Sequence, residues 1–152
     1  MSENLWYFAY GSNIDAERIK ERIGFLPDRI PGTLGNWHLE FNKTSKKTGE
    51  GFANIVPCPG EIVEGVLYAV TEEELQKLDC YEGVPAHYIR YQINVVRQDK
   101  GEVVAAVTYV ANPDKVRDGL KPTREYLNHL LAGKDYMSEK YIQHLRAVEI
   151  LD

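Results

Sequence analysis

Cysteine is almost missing: Cys58 and Cys80 are the only two. They form no disulfide framework and no metal-ligand spacing, and they are expected as free buried thiols, which suit a reducing cytoplasm. Positive charge is also short, with 18 Lys and Arg against 23 Asp and Glu and a net charge of -5. The densest basic stretch, Lys43-Thr-Ser-Lys-Lys47, lies in a polar segment and reads as a solvated loop tip. Binding to a nucleic-acid backbone needs a positive face, so no nucleic-acid partner is expected. No apolar run approaches the length that spans a bilayer, so no membrane partner is expected. The opening "MSENLWYFAY" lacks the basic region and apolar core of a secretory leader, and the expected location is the cytoplasm. His38, His87, His129 and His144 have no metal-ligand spacing. Ser12 has no GxSxG context, and neither a Gly-rich phosphate loop nor a dinucleotide fingerprint occurs.

What remains suits one domain over residues 1–152. A chain this long buries roughly two thirds of its unfolded surface, so it needs neither metal nor disulfide to fold. Leu5 to Tyr10 reads as a buried strand. Ile14, Ile19 and Ile23 share one face of a helix that Gly24 ends. Trp37 to Phe41 alternates within a strand predicted over Thr33 to Asn42. Further strands are predicted at Phe52 to Val56, ended by Pro57 and Pro59, and at Glu61 to Val70. Thr71-Glu-Glu-Glu74 is a capping-box pattern that opens a helix stopped by Gly83. His87 to Arg97 and Glu102 to Ala111 alternate across an Asp99-Lys-Gly101 turn, as a hairpin does. Pro122 to Ala132 reads as a helix with Pro122 near its first position and Gly133 as its cap. Ser138 caps a last helix over Glu139 to Val148. About six strands joined by short turns, with four helices, argue for the α+β class: a small, mixed, mostly antiparallel barrel or sheet with flanking helices.

Two places could carry chemistry. Glu82 closes the helix begun at Thr71, where exposed carbonyls disfavour a carboxylate. Partial desolvation there would push its pKa upward and suit it to proton transfer near neutral pH; the competing reading points it to water. In "YFAYGSNI", Tyr7 to Ile14, a strand runs into Gly11-Ser12-Asn13 and then a helix. The first N–H groups of such a turn lack internal partners and attract anions, and Gly11 permits close approach of a ligand. Ser12 or Asn13 can serve as N-cap, with Asp15 and Glu17 in the first turn. A plain capped turn is the competing reading. Tyr88, Tyr109 and Tyr126 could line a pocket, although with ten tyrosines in the chain any of them could instead be packing or a homodimer face.

Together, "YFAYGSN" (7–13) and "LDCYEGVPAHYIR" (78–90) resemble the γ-glutamylcyclotransferase superfamily. The resemblance continues through "TYVAN" (108–112) and "PTREYLNHLLAGKDYMSEKYIQHL" (122–145). It implies a small mixed barrel and cleavage of a γ-glutamyl amide by cyclisation, releasing 5-oxoproline and an amine, with no cofactor. It implies a substrate loop at Tyr10, Gly11, Ser12 and Asn13, with Ile14 where leucine is common. It implies an acid/base glutamate at Glu82 and pocket tyrosines at Tyr88, Tyr109 and Tyr126.

That chemistry needs no protein nucleophile, because the substrate's own α-amine closes the ring and correct folding of the substrate supplies much of the rate. One carboxylate can take the amine's proton and return it to the leaving nitrogen. The loop amides can hold the developing oxyanion or clamp the α-carboxylate. Leaving groups of the amino-acid or the simple-amine type remain open, as does a non-catalytic module that binds a small acid.

Overall fold

The computed structural model describes residues 4–152. Five strands close into a barrel: β1 (Leu5–Ala9), β2 (Arg29–Thr44), β3 (Gly51–Val70), β4 (Tyr88–Arg97) and β5 (Glu102–Ala111). Their order is β1-β3-β2-β4-β5. All neighbours are antiparallel except β1 and β5, which meet in parallel at Tyr7 and Val107. Four helices flank the barrel: α1 (Ala16–Ile23), α2 (Glu72–Glu82), α3 (Arg124–Leu131) and α4 (Glu139–Arg146). This is the mixed, mostly antiparallel barrel of the α+β class that alternation and short turns predict.

The period-two alternation of β1, continued by Tyr10 just beyond it, divides these side chains between two cores. Phe8 and Tyr10 join Leu67, Ile93 and Val95 in one cluster. Tyr7 and Ala9 join Ile19 and Ile23 of α1 and Leu75 and Leu78 of α2 in the other. Full burial of each such aliphatic or Phe side chain contributes about 1.5–3 kcal/mol. Gly65 lets β1 approach β3, since a Cβ there would lie 2.2 Å from the Ala9 carbonyl oxygen.

Several local expectations are corrected. The strands predicted on either side of Pro57 and Pro59 are one strand, β3. Over that stretch β3 pairs with β2 and not with β1, so a proline without an N–H can face the open side. A register shift between Gly35 and Trp37 bends the hairpin there, with Asn36 at φ 68° accepting from the Gly60 N–H at 3.1 Å. β2 is longer than predicted and takes in Lys43, after a second register shift between Glu40 and Lys43. Lys43 is therefore no solvated tip: only 4% of it is exposed.

Ser12–Ile14 is a separate 3-10 turn, and the N-cap of α1 is Asp15, which accepts from the Glu17 N–H. Pro122 precedes the N-cap of α3, Thr123, and Gly133 is not a left-handed cap (φ -97°). Gly133 instead lets the end of α3 press on Ile14, whose Cγ2 would lie 1.9 Å from an added Cβ. Helix α4 starts on its Ser138 cap as expected but stops at Arg146. Cys80 is exposed and Cys58 half-buried, so the thiols are not both in the core.

Candidate active site

Where β1 ends, the chain passes Gly11 into the 3-10 turn. The N–H groups of Ser12 and Asn13 open that turn and have no partner within it. Space is tight at Gly11: a Cβ would come within 3.1 Å of Ala53 Cβ and 3.4 Å of the Tyr126 hydroxyl. The Asn13 carbonyl accepts from the buried Tyr68 hydroxyl at 2.7 Å, which fixes the turn against the sheet.

Glu82 faces this turn from the last residue of α2. The capping box at Thr71 and Glu74 fixes the start of that helix, and Gly83, left-handed at φ 65°, ends it. Arg90 ties the helix to the sheet by pairing with Asp79 at 2.7 Å and Glu72 at 2.9 Å. Glu82 is largely withdrawn from water: its side chain keeps 16% of its surface exposed. Its Oε1 accepts from Asn13 Nδ2 at 3.1 Å and lies 3.7 Å from Arg22 Nη1. Arg22 Nη1 also donates to Asn13 Oδ1 at 3.0 Å, which sets the Asn13 amide so that its NH2 faces Glu82. Burial pushes the Glu82 carboxyl above its ordinary pKa; Arg22, Arg18, Asn13 and Lys43 pull it partly back.

Between the turn and Glu82 lies a narrow cleft that opens to solvent. Tyr10, Gly11, Ser12, Asn13, Glu82 and the three tyrosines at 88, 109 and 126 all line it, so residues far apart in sequence meet at one hollow. Ile14 does not. It is 1% exposed and packs with Ile19 and Ile23, which corrects its expected place on the site wall. Two further expectations change in detail. The Asn13 side chain is spent on Glu82, Tyr7 and Arg22. The Tyr109 hydroxyl donates away from the cleft, to Asp79 at 2.7 Å, so only the rest of the side chain can wall it. Tyr88 donates to the Ala53 carbonyl at 2.7 Å, and Tyr126 accepts from the Ala53 N–H at 3.0 Å. These two rings are thereby held on the backbone of one residue. Burial raises the pKa of Tyr7, Tyr10, Tyr88 and Tyr126, so these hydroxyls stay neutral.

Sequence reading missed Tyr7, Ala53 and Thr108, which also line the cleft. It missed a second, larger outer chamber as well, which shares Ser12, Glu82, Tyr88 and Tyr126 with the first. Arg18, Arg22, Lys43 and His87 bring charge or potential charge to it. Nearby positive charge, Lys43 first, holds the His87 imidazole below its ordinary pKa. The spacing of Arg18 and Arg22, four apart on a helix whose apolar stripe is Ile19 and Ile23, places both beside that stripe and could have flagged them.

A largely desolvated carboxylate beside an amide-lined turn, on a small mixed barrel, is an arrangement able to take up and return a proton. Similarity agrees. Residues 7–136 match the family described as γ-glutamyl cyclotransferase, AIG2-like. The γ-glutamylcyclotransferase of Homo sapiens is 28% identical over 154 residues, covering 97% of this chain and 80% of that protein. The γ-glutamylcyclotransferase of Bos taurus is 29% identical over the same extent. A solved structure of a γ-glutamyl cyclotransferase superposes with a TM-score of 0.85 at 28% identity, covering 99% of this chain and 90% of the other. The chain belongs to the γ-glutamyl cyclotransferase, AIG2-like family, and it is an enzyme of the γ-glutamylcyclotransferase class.

Proposed function

We propose that the protein cleaves γ-glutamyl amides at this cleft with Glu82 as the group that carries the proton. The substrate's α-amine attacks its own γ-carbonyl, forming the new C–N bond of a five-membered ring. Ionised Glu82 takes the proton that the amine loses. The C–N bond to the leaving amine then breaks, and the protonated Glu82 returns the proton to that nitrogen. The products are 5-oxoproline and a free amine, and the carboxylate ends as it began. No protein nucleophile is required, because the enzyme holds the two reacting ends of one molecule together.

The raised pKa suits Glu82 to both halves of this cycle, since a proton carrier works best near the operating pH. The N–H groups at Ser12 and Asn13 suit an anionic oxygen of the substrate, where one well-placed donor is worth about 3 kcal/mol. Tyr126 and Tyr88 close the sides of the cleft and exclude water. The observation that carries this reading is the placement of Glu82, its side chain 16% exposed, on the wall of a cleft opposite the turn. The test is release of 5-oxoproline by the purified protein from a panel of γ-glutamyl donors. Turnover of at least one donor is expected, and binding without release from any of them would overturn the reading.

A further inference from the structure

The outer chamber holds more positive charge than its single carboxylate balances. Arg22 is engaged with Asn13 and Glu82. Arg18, one turn earlier on α1, is half-buried and has no hydrogen-bond or ion-pair partner among the described residues. Lys43 is buried, and its Nζ lies 5.6 Å from the centre of the Phe52 ring and 5.5 Å from that of Tyr88. Its one hydrogen bond goes to the Thr44 carbonyl at 2.7 Å, which leaves N–H groups to donate. Among the described residues neither cation has an ion pair of its own: Glu82 acts on both only from a distance, and desolvation, the largest influence on each, lowers its pKa. A bound anion would repay that cost.

Placement says which anion. The scissile nitrogen must lie beside Glu82, and Glu82 lines both chambers. The inner cleft is smaller, walled by tyrosines and the turn, and no Lys or Arg lines it, so its lining offers the reacting glutamyl end no cation. The leaving amine then extends into the outer chamber. A carboxylate on the carbon next to its nitrogen falls on the side of Glu82 that carries the cations.

Resting on the cyclotransferase reading above, we infer that Arg18 and Lys43 bind a carboxylate on the leaving amine and so select γ-glutamyl amino acids over γ-glutamylamines. Arg18 can meet the carboxylate with two parallel N–H groups, and Lys43 meets it as a point charge. Lys43 follows a register shift between β2 and β3, and such a break in pairing can re-aim a side chain toward a site.

The test compares kcat/KM for γ-glutamylalanine and γ-glutamylethylamide, which differ only in that carboxylate, in the native protein and in Arg18→Gln and Lys43→Met. The native protein should favour γ-glutamylalanine by about tenfold or more, and each variant should lose about tenfold of that preference, the scale of one charge-assisted hydrogen bond. Arg18→Lys should keep part of it. Should Lys43→Met fail to fold, Arg18→Gln, on the protein surface, decides alone. A donor ratio unchanged by Arg18→Gln overturns the inference; an equal fall on both donors would place the arginine on the glutamyl part instead. Failure of the cyclotransferase reading is seen separately, as no 5-oxoproline from either donor with the native protein.

Discussion

Glu82 is held between opposing pulls. Burial favours its neutral form, while Arg22, Arg18, Lys43 and the Asn13 amide favour the ion. As a base it must be ionised, so kcat/KM should be high above its pKa and fall as the pH drops through it. The fall should occur at higher pH than for an ordinary carboxylate. Arg22→Gln removes the charge 3.7 Å from Oε1 but keeps an N–H for Asn13 Oδ1. In that variant the acid limb of the pH–rate profile should move to still higher pH, and an unmoved limb would mean that Arg22 does not tune the working carboxylate. At this scale local chemistry left Glu82 and the Gly11–Asn13 turn open between a site and a solvated glutamate or plain capped turn, and it was the family resemblance that singled them out. Lys43 was not readable: its burial follows from a slip of register against β3, which no local pattern reports.

Among the elements, α2 matters most, since it carries Glu82 on its final residue. Its start and stop were both legible, because a capping box and a glycine in the left-handed region are short-range signals. Gly83 has φ 65°, and a Cβ there would lie 2.8 Å from the His87 ring. Gly83→Ala should cost about 1–2 kcal/mol from the backbone alone. For a chain of this size that lowers Tm by about 2–4 °C per kcal/mol. Because Glu82 is the adjacent residue, kcat/KM should fall further than stability explains, by up to about 10²-fold for an ångström of displacement. Calorimetry beside steady-state kinetics checks both; unchanged values of both would show that the helix end does not need glycine. β3 was harder to read. Two prolines argue for a break wherever a strand is paired on both sides, and only the barrel leaves that stretch with one partner. Period-two alternation puts Tyr91, Ile93 and Val95 on one face of β4, yet Ile93 and Val95 are buried and Tyr91 is 45% exposed. The strand is covered along only part of its length.

At the scale of the whole molecule, the site exists because strands from both ends of the sequence close one barrel. β1 brings the turn, β3 brings Ala53, and β4 and β5 bring Tyr88 and Tyr109. Helices α2 and α3 add Glu82 and Tyr126 from outside. Alternation and short turns were enough to give the class of this fold, but strand order and the β1–β5 closure depend on contacts about a hundred residues apart, such as the Thr108 hydroxyl donating to the Phe8 carbonyl. The measurement that bears most directly on the account is kcat/KM for 5-oxoproline release by Glu82→Gln, with circular dichroism to establish that it folds. A fall of about 10²–10⁴-fold is predicted, the usual worth of a positioned acid–base group. A folded Glu82→Gln protein that releases 5-oxoproline at nearly the native rate would contradict it.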